Sequence, residues 1–418
     1  MNDNHSRSKL KYLNRWLTPL LLEATKTYGV VVITGARQVG KSTFLHNAPQ
    51  IKEWEYLTLD DFDVQETAQK DPKSLLAGKK KVVIDEVQKA PGLLSAIKRE
   101  VDSEEADRRF LLSGSANLLL MHKISESLAG RAVYYVMRPF TLGETKEQSY
   151  SKLLGQLFSS LPIERVPPVA SREKLENLII RGFFPPVVVQ FKKLSSILGW
   201  MEGFVTTFLE RDLRQLAQIE NLPDFRRLMG ALALRSGQML NQSEISRDTG
   251  IPQPTVHRYL NLLEISFLIE KIPAYSVSRT KRLVKSPKIY WGDSGLACFL
   301  MGYHHVEHLR KAKEWGALFE TLVFHHLKVW TSLNVPSPRI FYWRTATGHE
   351  IDFIIEWGNK LLAIEVKSSD EVRYTDTHNL KLFMAEYHNT KAGIIVYTGK
   401  SLKQIGEKIW AVPWELLV

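Results

Sequence analysis

The run Gly35-Ala36-Arg37-Gln38-Val39-Gly40-Lys41-Ser42, followed by Thr43, has the spacing G-x-x-x-x-G-K-S of a phosphate-binding loop. A triphosphate carries several negative oxygens, and backbone N–H groups meet them best where no side chain intervenes. Gly35 and Gly40 open backbone conformations that let successive N–H groups converge on the β-phosphate. Lys41 then reaches the β- and γ-phosphates as a point charge, and the Ser42 hydroxyl fits one position of an octahedral Mg²⁺ shell. A helix starting near Lys41 adds its positive end. ATP and Mg²⁺ are the expected ligands, with residues 35–43 against the nucleotide.

Two further groups complete that chemistry. In Lys81-Val82-Val83-Ile84-Asp85-Glu86, Asp85 would hold Mg²⁺ through water and Glu86 would polarise a water in line with the γ-phosphate. An adjacent Asp-Glu pair favours hydrolysis over transfer to another acceptor. In Phe110-Leu111-Leu112-Ser113-Gly114-Ser115-Ala116-Asn117, one of Ser113, Ser115 or Asn117 could sense the γ-phosphate, and a helix cap explains each of them equally well.

The elements that must place these residues follow from the pattern. Val30 to Ile33 is a β-branched run of the length of one buried parallel strand, and Thr43-Phe44-Leu45 continues as a helix. Tyr56 to Leu59 and the stretch ending at Asp85 read as further strands. Strand, loop and helix in repetition predict a parallel sheet flanked by helices. Leu10, Leu13, Trp16-Leu17 and Leu20-Leu21 recur at helical spacing ahead of the loop, with Lys9, Lys11 and Arg15 off that stripe. Arg131 falls between a helix and the strand Ala132 to Met137, the place from which ring-forming ATPases offer an arginine to a neighbouring subunit's γ-phosphate. A structural ion pair is the other reading of Arg131.

Taken together, GARQVGKS, VVIDEVQKAP, FLLSGSAN, SLAGR followed by PFTLGE, RGFFPPVV and KIYWGDSGLA resemble a bacterial and archaeal family of AAA-type ATPases. In that family a carboxy-terminal domain of poorly defined function follows the ATPase. The resemblance covers nearly the whole chain and implies ATP binding, ATP hydrolysis and an AAA-type core. One departure is that no clear second sensor arginine occupies a lid helix.

Residues 141–235 read as a helix-rich connecting subdomain broken by Pro162, Pro167-Pro168 and Pro185-Pro186, with Arg211-Asp212 and Arg226-Arg227 on its helices. Leu240 to Thr249, the turn Gly250-Ile251-Pro252 and Gln253 to Leu263 give helix, turn, helix, and Phe267 to Ile272 would follow as a wing strand. In a DNA-reading version the second helix turns Gln253, Thr255, His257 and Arg258 toward the major groove. Lys271, Arg279, Lys281, Arg282, Lys285 and Lys288 follow without a carboxylate among them, which suits phosphate contact. Winged helices also serve as protein-binding modules.

From Ile289 a fresh αβ pattern begins, with a helix around Gly316 to Val323 and strands at His349 to Ile355 and Leu361 to Lys367. Alternation along a strand puts Glu350 with Asp352 on one face and Glu365 with Lys367 on one face, apolar residues filling the other. Solvated cross-strand carboxylate–lysine pairs produce the same pattern. An acidic residue, then Glu-x-Lys on the next strand, after a helical glutamate, resembles the restriction-endonuclease-like nucleases. That resemblance implies that Asp352 and Glu365 bind Mg²⁺, that Lys367 orients water or stabilises the phosphorane charge, and that Glu320 completes the site. Glu350 is a competing ligand, and the same architecture also persists as an inactive binding scaffold.

The expected fold class is α/β: a P-loop AAA-type ATPase domain over residues 1–140, a helical subdomain over 141–235, a winged helix over 236–288 and an endonuclease-like domain over 289–418. A chain of 418 residues has material for such cores, and its 44% hydrophobic and 24% charged content is ordinary for globular protein. No apolar run approaches the roughly 18 residues of a membrane span, and residues 1–10 carry no signal-like apolar segment. The single cysteine, Cys298, excludes an internal disulfide framework and a thiolate zinc site, and fits a reducing cytosol. His304, His305 and His308 read as a solvated loop or helix end. The net charge of +11 makes polyanions plausible partners. The expected partners are therefore ATP, DNA and further copies of the chain in a ring, with no membrane; a nucleotide-controlled protein-binding switch is the alternative.

Overall fold

The computed structural model describes residues 11–103, 107–114, 128–159, 173–207, 221–278, 280, 282 and 285–417. They form two compact units: residues 1–140 with 184–196 and 265–267, and residues 141–183 with 197–264 and 268–418. Residues 184–196 and 265–267 fall in the first unit, and the rest of the chain after residue 140 falls in the second.

The first unit is built on a five-stranded parallel sheet in the order β2-β3-β4-β1-β5. Its strands are β1 (Val30–Thr34), β2 (Glu55–Thr58), β3 (Lys81–Asp85), β4 (Arg109–Ser113) and β5 (Ala132–Val136). The middles of strands β1, β3 and β4 are apolar and buried because neighbours and helices cover them on both sides, as an all-parallel sheet requires. Val30, Val32, Val82, Ile84, Phe110 and Leu112 share a core with Leu93, Leu94 and Ile97 of a helix at Leu93–Asp102. Each such fully buried side chain stabilises the fold by about 1.5–3 kcal/mol. Helix α1 (Thr18–Thr27) lies against β1 and β4, and helix α2 (Lys41–Asn47) leaves the loop after β1. The order of the strands matters for the site: β4 lies between β1 and β3, so its last residue, Ser113, falls between the phosphate loop and Asp85.

The second unit holds a helical part and a six-stranded mixed sheet in the order β12-β13-β11-β10-β9-β8. Its strands are β8 (Arg339–Arg344), β9 (Glu350–Trp357), β10 (Lys360–Lys367), β11 (Thr390–Tyr397), β12 (Lys403–Gly406) and β13 (Ile409–Pro413). The middles of β9 and β10 are buried throughout, with the apolar–polar alternation expected from the sequence confined to their ends. Helices account for this. Phe324, on the helix Trp315–Ser332, stacks on Phe353 of β9, while Leu380 and Phe383 of the helix His378–Glu386 pack with Ile354, Leu361 and Ile395.

Ahead of that sheet, Asn241 caps the helix Gln242–Thr249 by accepting the Glu244 N–H at 3.1 Å, and a left-handed Gly250 ends it. The helix Gln253–Ile265 follows, and β6 (Ile269–Ile272) pairs antiparallel with β7 (Lys288–Trp291). The boundary expected after residue 288 therefore runs through β7, whose pairing with β6 holds both strands in one ribbon.

Candidate functional site

The phosphate loop has the backbone its glycines imply. Gly35 has φ +144°, and a Cβ there would lie 2.1 Å from the Met137 carbonyl oxygen, so loop and chain after β5 approach as only glycine allows. Gly40, at φ +90°, is the N-cap of α2, and Gln38 is also left-handed at φ 60°. Lys41 is buried, its ammonium donating to the Gly35 and Ala36 carbonyls at 3.0 and 2.9 Å, and Ser42 and Thr43 are exposed beside it. Arg15, which sequence reading left off the apolar stripe, is buried. It donates to the Val39 carbonyl at 3.0 Å and to that of Arg138, with its guanidinium over the Phe140 ring. This brace between distant segments has no local signature.

Asp85 ends β3 almost fully buried, and three donors hold its carboxylate. The Ser113 hydroxyl and the Glu86 N–H donate to Oδ1, and the Tyr56 phenol donates to Oδ2 at 2.6 Å. Burial and that bond push the Tyr56 phenol well above its ordinary range. Tyr56 also packs against His46 of α2, ring centroids 3.8 Å apart and the planes tilted by 34°. Glu86 adopts φ 55°, an uncommon conformation for a glutamate, and accepts a bond from the Gln88 amide. Ser113 is thus bonded to Asp85. Ser115 and Asn117, the other sensor candidates, lie outside the described residues.

One carboxylate and one hydroxyl near a phosphate loop fit Mg²⁺, which is usually held by one or two carboxylates together with substrate phosphates and water. The exposed Ser42 and Asp85, its carboxylate held by three donors, are the pair that would meet it. Arg131 forms an exposed ion pair with Asp102, and its Nη1 donates to the Ala129 carbonyl at 2.9 Å.

The residues expected to face DNA divide. Gln253, His257 and Arg258 are exposed on the helix Gln253–Ile265 and Thr255 is half-buried; His257 pairs with Asn261 at 3.1 Å. Arg279 and Lys281 lie outside the described residues. Arg282 is corrected: it makes two 2.9 Å bonds to Glu356 and lies over the Tyr275 and Phe341 rings, so its guanidinium is spent inside the second unit. Lys271 is paired with Glu264, and Lys288 is 2% exposed.

The carboxylates and lysine expected of a nuclease lie as follows. Asp352 accepts the Val366 N–H at 2.8 Å, and Lys367 bonds Glu365 at 2.8 Å. Glu320 accepts the Tyr290 phenol. Burial, then the Asp352 charge, raises the Glu320 and Glu365 carboxyls to about 8, and burial raises Asp352 as well. Lys288 was not expected here, yet its ammonium lies among Glu320, Glu350 and Asp352. Burial lowers its proton affinity, but those carboxylates outweigh it and hold it above the ordinary lysine value. Among the described residues no group of three or more His, Cys, Asp or Glu is arranged to hold a metal.

Comparison with known proteins adds to this picture. Residues 27–146 match a family described as an AAA domain. Residues 172–307 and 315–417 match two domains of unknown function, DUF8612 and DUF4143. An uncharacterized protein of Mycobacterium tuberculosis is 29% identical over 390 residues, 92% of this chain and 80% of that protein. One of Haemophilus influenzae is 24% identical over 425 residues, 95% of this chain and 96% of that protein. Among solved structures, a Walker-type ATPase of Pyrococcus abyssi is similar at TM-score 0.45 and 16% identity, covering 69% of this chain and 96% of that one. The RuvB Holliday junction branch migration motor of Thermotoga maritima is similar at TM-score 0.29 and 17% identity, covering 65% and 93%. No helix among the described residues is long and apolar enough to cross a membrane. The match over residues 27–146, laid on a phosphate loop with this backbone, gives the chain a P-loop ATPase domain of the AAA type, built for nucleotide binding and hydrolysis.

Proposed function

We propose that the chain is a Mg²⁺-dependent ATPase in which residues 35–43 grip the triphosphate. Lys41 neutralises the β- and γ-phosphates, and Ser42 and Asp85 hold the metal, which supplies charge neutralisation on the phosphates. Glu86 takes the proton of the attacking water. Its left-handed backbone turns the chain directly after Asp85, so that the two adjacent carboxylates serve different atoms. The observation that carries this reading is the loop backbone, with Gly35 and Gly40 both at positive φ and the Lys41 ammonium folded over the loop carbonyls. Measurement of phosphate release with Lys41→Ala and Glu86→Gln tests it. The first is expected to lose nucleotide binding and turnover together, and the second to keep binding while turnover falls about a hundredfold or more. Unchanged hydrolysis in Lys41→Ala would end the proposal.

In this reading Arg131 serves a neighbouring copy's γ-phosphate, released from Asp102 on assembly. Support comes from its place directly ahead of β5 and from the partial exposure of its ion pair with Asp102. Turnover per chain should then rise with protein concentration, and Arg131→Ala should abolish the rise.

A role on DNA is supported by one observation: the helix Gln253–Ile265, followed by a two-stranded ribbon as in a winged helix, leaves Gln253, His257 and Arg258 exposed. The second unit's sheet would then be a nuclease-like scaffold carried beside it. ATP turnover that does not change across a titration with duplex or branched DNA at low salt would remove the DNA role and leave the nucleotide-controlled protein switch.

A further inference from the structure

Lys288 opens β7, pinned by pairing with Ile272 of β6 and by a bridge to Met239. From there its ammonium reaches Glu350 Oε1 at 2.5 Å and Asp352 Oδ1 at 3.7 Å, both on β9. It also lies 3.6 Å from Glu320 Oε1 on the helix Trp315–Ser332. Tyr290, two residues along the strand and so on the same face, donates its phenol to that same Glu320 oxygen. Beyond Asp352, the remaining carboxylate of the set, Glu365, is buried. It gives Oε1 to Lys367, while its Oε2 has no hydrogen-bond partner.

Three of the four carboxylates that a Glu-x-Lys nuclease arrangement offers a metal are thus already within reach of one buried cation contributed by β7. A divalent ion needs those oxygens drawn in to about 2.0–2.6 Å of a single centre, together with water. It would also stand beside a buried ammonium of like sign, where low dielectric strengthens repulsion. Arginine or a flexible surface lysine could swing away. Lys288 is 2% exposed, and its strand is paired on one side and bridged on the other.

We propose that the Lys288 ammonium is the resident cation of this carboxylate cluster, standing where a metal-dependent nuclease would carry its divalent ion, so that the native chain takes up no Mg²⁺ or Mn²⁺ at Asp352 and Glu365. This is independent of the ATPase reading and uses the nuclease resemblance only to choose which residues to compare. The cluster fastens the β6–β7 ribbon to the C-terminal sheet through charge.

The test is Mn²⁺ titration of the nucleotide-free full chain, with free Mn²⁺ followed by electron paramagnetic resonance. Native, Asp352→Asn and Glu365→Gln chains are expected to bind Mn²⁺ alike, within twofold. A site in the native chain that either variant weakens tenfold or more would overturn the proposal. In Lys288→Met, which keeps the stem without the charge, one additional Mn²⁺ per chain is expected, together with a Mn²⁺-dependent rise in Tm absent from the native chain. A folded Lys288→Met that gains neither would equally overturn it. Should that variant not fold, the comparison of native, Asp352→Asn and Glu365→Gln decides alone.

Discussion

Asp85 illustrates how one carboxylate is held by several segments of the chain at once. Its carboxylate accepts from the Ser113 hydroxyl, the Glu86 N–H and the Tyr56 phenol, so its orientation is fixed by three elements at once. Hydrogen bonds to a carboxylate are each worth roughly 1.5–3 kcal/mol, and losing one leaves the anion freer to turn. In the proposed mechanism Tyr56 would be a positioning residue on that account, and its ring contact with His46 links Asp85 to the helix that begins with Lys41. In Tyr56→Phe the ring and its contact with His46 remain while the bond goes. The Mg²⁺ concentration for half-maximal ATP hydrolysis should rise several-fold, with kcat at saturating Mg²⁺ reduced less than tenfold. An unchanged Mg²⁺ requirement would reduce Tyr56 to a packing role.

At the scale of elements, the stretch from β6 to β7 separates residues that look alike in sequence. Six basic residues lie between Lys271 and Lys288 without a carboxylate, which reads as one surface for phosphates. The fold instead carries Arg282 to Glu356 and Lys288 to Glu320, Glu350 and Asp352, carboxylates at least 32 positions further along the chain. Arg282→Lys should therefore act on stability. Lysine cannot reproduce the two-pronged bond to Glu356 or the stacking on Tyr275 and Phe341, so a loss of about 1–3 kcal/mol is expected by denaturant unfolding. Arg258→Ala, on the exposed helix face, should leave stability within about 0.5 kcal/mol. If the helix meets DNA, the same change weakens binding and lowers the salt slope by about one.

For the folded chain as a whole, buried titratable groups set a pH profile. His326 is buried and bonded to the Leu322 carbonyl and the Leu142 N–H; burial brings it down to about 3, so the unfolded chain binds a proton that the folded one refuses. Stability is therefore lost as pH falls below about 6.5. Glu320 and Glu365 act in the opposite sense. Raised by burial to about 8 from 4.5, they hold protons in the folded chain that the unfolded chain releases, so stability falls as pH rises from 4.5 and levels off above 8. Between pH 6.5 and 8 the two glutamates dominate this balance. Tm should drop there by on the order of a few degrees, and Glu320→Gln should flatten the drop. A Tm that climbs across this window would contradict the burial of those carboxyls.

Local sequence was enough for the phosphate loop and the strands around it, because there the chemistry sits in one continuous run. Gly35, Gly40 and Lys41 must be neighbours for a loop to turn on the end of a strand, and a buried parallel strand such as β1 announces itself by composition alone. The helix–turn–helix spacing was legible for the same reason, being set by caps and a turn within about twenty-five residues. What lay beyond it were partnerships between segments far apart along the chain: Arg15 with the Val39 and Arg138 carbonyls, Tyr56 with Asp85, Arg282 with Glu356, and Lys288 with three carboxylates. A charge has no preferred partner until the backbone brings one within a few ångströms and removes the water between them. Residue types and spacing therefore identified the nucleotide-binding domain, whereas the tertiary fold alone decided which cations are left to meet phosphate and which are spent inside the protein.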